Sequence, residues 1–161
     1  GLCVPPSTVV DSSRSERILL LLALALMESF NIAVSVTAEP EYVPVPGFVF
    51  DGARQAIVAN WVGTEGVWQV DVSDSPSQAR EFADVARYAG SRAVNRADTP
   101  VGRLQALAGY LDLDWSWLVR RCGDIGEYGS AGIAQPRSRL LSTAGVDQAC
   151  RFLAQSDQSA R

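Results

Sequence analysis

Three groups of side chains stand out as candidates for recognition or catalysis. The first is aromatic. In "QAIVANWVGTEGVWQVDVS" (55–73), Trp61 and Trp68 stand on either side of Gly63-Thr64-Glu65-Gly66, with Asn60 next to Trp61. Indole rings can line an apolar pocket while a side-chain amide orients what it holds, so Trp61, Trp68 and Asn60 are the candidate ligand-binding residues. The second group is cationic: Arg80, Arg87, Arg92 and Arg96, followed by Arg103. Arg80 and Arg87 are seven apart and share a helix face, where they could meet phosphates. Glu81, Asp84 and Asp98 are interleaved with them, which is the pattern of a solvated, ion-paired surface. Contact with DNA through residues 76–122 is therefore the alternative reading, with Arg80, Arg87, Arg92 and Arg96 as its contacts. The third group is Leu111, Trp115 and Trp117. Two residues apart on a helix, the tryptophans must point in different directions. One is expected in the core and the other over a neighbouring surface, which makes this stretch a candidate partner interface.

Other groups are weaker. Asp71, Asp74 and Glu65 could exchange protons, although Asp74 equally suits a turn. With Tyr88, Tyr110 and Tyr128 they form the case for a small enzyme. Cys122 lies beside Arg120 and Arg121, which would lower a thiol pKa, but the expected helix C-terminus would raise it. "GDIGEYGSAG" (123–132) matches no phosphate-binding pattern and reads as a connector.

Missing residue types remove whole classes of chemistry. The 161 residues contain no His, and all 14 basic residues are Arg. Without His there is no Ser–His or Cys–His nucleophile pair. Without Lys there is no Schiff base and no Walker A loop. Three dispersed cysteines suit neither a zinc site nor a disulfide scaffold, and reduced thiols in the cytoplasm are the simplest reading. No metal or cofactor is implied, and a non-enzymatic protein is expected. The net charge of −4 divides into −6 for residues 1–75 and +2 for residues 76–161. An acidic chain is a poor independent binder of nucleic acid, because that affinity rests largely on phosphate neutralisation.

The elements that must position these residues begin with "SERILLLLALALMESF" (15–30), which holds ten consecutive apolar residues from Ile18 to Met27. As a helix, that run spans about 15 Å, against the ~30 Å of a bilayer core. Its flanks carry Glu16, Arg17 and Glu28, with no A-x-A site after it. A buried central helix is expected, capped by Ser13 or Ser15 with Glu16 in the first turn.

"NIAVSVTA" (31–38) alternates like a strand. "EPEYVPVPG" (39–47), with three prolines in nine residues, reads as an extended connection or a sheet edge. "FVF" (48–50) is a short strand. Residues 55–73 read as a hairpin in which Trp61 faces Trp68, Ala59 faces Val70 and Ile57 faces Val72. These six share the face expected to be buried under the helices. From residue 74 the period is helical. Ser75-Pro76 and Thr99-Pro100 are start signals, and Asp114 is an N-cap for a helix expected to end at Gly123. Pro136 opens a further short helix, Gly145 breaks it, and residues 146–155 form the last, with Val146, Cys150 and Leu153 inward.

The resulting fold class is α+β: an N-terminal helix, an antiparallel sheet of about four strands, then a cluster of four or five helices. Residues 1–14 read as a flexible tail, 15–155 as a single domain (helix plus sheet to 73, helices from 74) and 156–161 as a frayed end.

"TPVGRLQALAGYLDLDWSWL" (99–118) resembles the closing helices of the lambda-repressor-like, XRE-type helix-turn-helix family, and "REFADVARYAGSRAVNR" (80–96) looks somewhat like the helix-turn-helix itself. Residues 48–153 are similar in general character to actinobacterial regulators that join a sensory or dimerisation module to such a motif. The resemblance implies a sensory or dimerisation domain of a bacterial transcriptional regulator. It would be cytoplasmic and free of the membrane, and it would pair with a second copy or a DNA-binding domain. A small molecule held between sheet and helices would be its signal.

Overall fold

In the computed structural model, the leucine-rich segment forms helix α2 (Arg14–Ser29). The structure describes residues 1–45, 47–51, 55–59, 69–129 and 141–158. Ser13 closes the N-terminus of α2 with a reciprocal capping box. Its hydroxyl accepts from the Glu16 backbone N–H at 3.3 Å, and its own N–H donates to the Glu16 carboxylate at 2.7 Å. Leu21, Leu22, Leu24 and Ala25 are buried, and Ile18, Leu20 and Leu26 pack at the margins. Each fully buried Leu is worth roughly 1.5–3 kcal/mol of transfer free energy. An element apolar on nearly every side must be covered on several, and helices α4 (Pro100–Tyr110) and α6 (Thr143–Gln158) both pack against α2. Helix α5 (Trp115–Tyr128) lies along α6. No helix among the described residues is long and apolar enough to cross a membrane.

The N-terminal stretch is not a tail. Leu2–Cys3 form strand β1, which pairs in parallel with β2 (Val36–Thr37), and Pro6–Asp11 form helix α1. Val4 and Val9 enter the same core as α2. The strand expected over 31–38 shrinks to these two residues. Asn31, at φ 60°, turns the chain sharply out of α2, and Ile32 stays exposed. Only Val36 and Thr37 pair as strand residues with β1. The proline-rich connection holds one turn of 3-10 helix at Pro40–Tyr42.

Strands β3 (Gly47–Asp51), β4 (Gln55–Ala59) and β5 (Val70–Ser73) form an antiparallel sheet in that order. The register is the expected one: Ala59 opposes Val70 and Ile57 opposes Val72. The buried face is the opposite of the one expected. Among the described residues of that set, Ile57, Val70 and Val72 are 40, 53 and 66% exposed and Ala59 is buried; Val49, which pairs with Ile57, is 56% exposed. Helix α3 (Pro76–Ser91) leaves β5 after two residues and folds back over Ala56 and Phe48, on the other face. The Phe48 ring meets Phe82 at 4.7 Å between centroids. Buried Ala79 and Ala89 on the helix, and Ala56 on the sheet, let the two backbones approach closely. The valines of the outer face fit a strand through β-branching rather than burial.

The protein is thus α+β, with a sheet-and-α3 layer beside a helical cluster. Asn95 joins the two. Buried, it donates through Nδ2 to the Val34 carbonyl at 2.8 Å and accepts through Oδ1 from the Val36 N–H at 2.9 Å.

Two helix boundaries differ from expectation. Helix α5 passes through Gly123 and Gly126 to Tyr128, and Gly129, at φ 76°, ends it. Helix α6 passes through Gly145, whose N–H is taken by the Ser142 hydroxyl at 3.1 Å. The cost of a glycine inside a helix, about 1 kcal/mol, is outweighed where that helix packs half-buried Ile125, or buried Ala149 and Leu153, against the core. The short helix expected to open at Pro136 lies outside the described residues.

Candidate functional site

A cavity of about 260 Å³ lies between the N-terminal strand, the 3-10 turn, β3 and α3. Its walls come from four parts of the chain. Leu2 and Cys3 are held there by pairing with β2. Val43 and Val45 follow the 3-10 turn. Phe48 comes from β3, and Val85 and Ala86 from α3. Thr8, Thr37, the Cys3 thiol and Tyr42 add polar groups at the edges. No Asp, Glu or Arg side chain is among the described residues that line the cavity.

The Cys3 thiol donates to the Glu39 carbonyl at 3.2 Å, and burial pushes its pKa up, so it is a poor nucleophile at neutral pH. The Thr37 hydroxyl accepts from the Glu39 N–H at 3.3 Å. Desolvation, with Tyr88 and Glu41 close by, raises the Tyr42 phenol, which stays protonated and able to donate. The Tyr42 and Tyr88 rings lie 6.3 Å apart. Arg92 stacks 5.1 Å from the Tyr88 ring and pairs with Glu39 at 3.2 Å, and that bond holds its guanidinium above the ordinary value. The recess is mainly apolar, with the Thr8 and Thr37 side chains, the Cys3 thiol, Tyr42 and the Gly1 amino group as its polar members.

Trp61, Trp68 and Asn60 lie outside the described residues. Leu111 is fully buried in the chain's own core, so it offers no surface to a partner. Trp115 and Trp117 are both half-buried against that core, and the Arg14 guanidinium sits 4.5 Å from the centroid of the Trp117 ring. Asp114, the predicted N-cap, accepts from the Trp117 N–H at 2.9 Å. Arg80 and Arg96 are exposed. Arg87 is paired with Asp84 at 2.9 Å on the surface of α3, and Arg92 is committed to Glu39 and Tyr88. Residues 80–91 run within one uninterrupted helix, α3.

Of the groups proposed for acid–base work, Asp74 accepts from the Gln55 amide at 2.8 Å and Tyr110 donates to the Val4 carbonyl at 2.6 Å. Tyr128 is exposed, and Glu65 lies outside the described residues. No cluster of His, Cys, Asp or Glu among the described residues could hold a metal ion.

The sequence does not advertise the cavity. Leu2, Cys3 and Val4 carry a weak apolar signal, but a two-residue strand has no period to detect. The helical period after residue 74 does not reveal what that helix faces. No family model matches the chain, and no curated protein or solved structure shows significant similarity to it.

Proposed function

We propose that this chain is a non-enzymatic sensory domain of a bacterial transcriptional regulator, and that its signal is a small, neutral, mainly apolar molecule. The observation that carries the reading is the 260 Å³ cavity, walled by β1, β3 and α3, with no charged side chain among its described lining residues. Apolar recesses with a few convergent polar groups are the usual form of small-molecule sites. A molecule there would touch α3 and the N-terminal strand at once. It would favour the state in which these pack together, a population shift that a second copy or a DNA-binding domain could read. The regulator context rests on the resemblance of residues 80–118. The continuity of α3 and the ion pairs of Arg87 and Arg92 favour sensing over direct DNA contact.

Thermal denaturation against paired neutral and carboxylated compounds tests this. Neutral alkyl and aromatic members should raise the melting temperature, since a ligand at 100 times its Kd adds about 2.7 kcal/mol. Ala86→Phe, which fills the cavity, should abolish that shift. Equal binding by the Ala86→Phe variant, or no binding by any neutral member, overturns the reading. Salt-dependent retardation of DNA that is lost in an Arg80→Ala/Arg87→Ala variant would favour the alternative.

A further inference from the structure

We propose that Cys122 and Cys150 form a reversible dithiol–disulfide pair, making the contact between α5 and α6 a site of two-electron oxidation by peroxide. The two residues stand on different helices, and both are free and buried. Their thiols are in hydrogen-bond contact with each other. Helices α5 and α6 pack against each other and come close one turn beyond Cys122. A Cβ on Gly126, one turn after Cys122, would lie 3.4 Å from Cγ of Arg151, the residue after Cys150. A cysteine that serves only as a small hydrophobe needs no second cysteine opposite it. Cys3, which donates to the Glu39 carbonyl at 3.2 Å, has no such partner role.

Cys122 S–H donates to Cys150, which lowers the Cys150 pKa against the opposing effects of burial and the Asp147 carboxylate; the same bond, with burial, holds the proton on Cys122. The direction of that shift favours Cys150 as the first thiolate. That thiolate attacks one oxygen of hydrogen peroxide, the O–O bond breaks, and hydroxide leaves to be protonated to water. The Cys150 sulfenic acid so formed is attacked by the Cys122 sulfur, whose proton goes to the departing hydroxide. Two thiols and one peroxide yield one disulfide and two waters. Peroxide, close to water in size, is the oxidant suited to a buried pair. The new bond ties α5 to α6 and closes a loop through residues 123–149, which restricts the unfolded chain.

The test uses the full chain with Cys3→Ser, treated with stoichiometric hydrogen peroxide at neutral pH, then denatured and alkylated. The expected product is a mass loss of about 2 Da, reversed by dithiothreitol, with a single cross-linked peptide joining residues 122 and 150. The melting temperature should rise by several degrees on oxidation, a shift absent in Cys150→Ser. Recovery of both cysteines as alkylated thiols overturns the proposal. So does separate addition of oxygen to either one without a cross-link.

Discussion

Two nitrogens of Arg103, Nε at 2.8 Å and Nη2 at 2.6 Å, donate to the carboxylate of Glu28. Glu28 is buried near the end of α2 and Arg103 lies in the first turn of α4, so this fork joins the two helices within the core. The bond holds the Arg103 guanidinium above its ordinary value. A third contact, from Nη1 to the Ala97 carbonyl at 3.3 Å, fixes the loop before α4. Removing one partner leaves a buried charge without compensation. Arg103→Ala should cost about 3–5 kcal/mol in urea denaturation, and Glu28→Gln/Arg103→Met should recover much of that loss. A cost below ~1 kcal/mol would show that the pair is solvated.

Asn95 closes two backbone groups, the Val34 carbonyl and the Val36 N–H. Asn95→Ala should destabilise by about 2–3 kcal/mol, the cost of leaving both unsatisfied. Hydrogen exchange should show the Val36 amide losing protection ahead of those in α2.

The sheet's orientation predicts opposite outcomes on its two faces. Val72→Thr, on the exposed face, should change stability by no more than ~0.5 kcal/mol. Phe82→Ala, which empties the contact with Phe48 under the sheet, should cost about 3 kcal/mol. The reverse ranking in thermal denaturation would mean that the helices lie on the other face.

The two helical glycines of α5 should behave differently. A Cβ at Gly123 meets nothing within 4 Å, so Gly123→Ala should stabilise by up to about 1 kcal/mol through helix propensity. Gly126 faces Arg151 at 3.4 Å, and Gly126→Leu should destabilise by pushing α5 away from α6. Chemical denaturation of both variants checks the pair.

The capping box gives stability an acid limb. Glu16 has its pKa lowered by the bonds from the Ser13 N–H and hydroxyl. A carboxylate depressed in the folded state stabilises fully above its unfolded pKa of about 4.3. That contribution is lost as pH falls through the lower, folded value. Glu16→Gln should therefore flatten the fall in melting temperature below pH ~4.3, leaving the neutral plateau otherwise parallel to wild type.

Most of what could be read in advance was local. Ser13 with Glu16, Thr99 before Pro100 and Asp114 before Trp115 mark helix starts, because a cap acts on backbone groups two or three residues away. The opposition of Ala59 to Val70 and of Ile57 to Val72 follows from strand alternation around one turn. The ten-residue apolar run had to be buried somewhere, and its length ruled out a simple crossing of a bilayer. Alternation gives two faces but does not say which one a later helix will cover. That depended on the small side chains of α3 fitting over Ala56 and on Phe82 reaching Phe48, contacts between residues some thirty positions apart. The glycines of α5 and α6 looked like breaks until packing against the core outweighed their propensity. The cavity belongs to this second class too. Leu2, Val43, Phe48 and Ala86 have nothing in common along the chain, and they become one site because β1, β3 and α3 meet there.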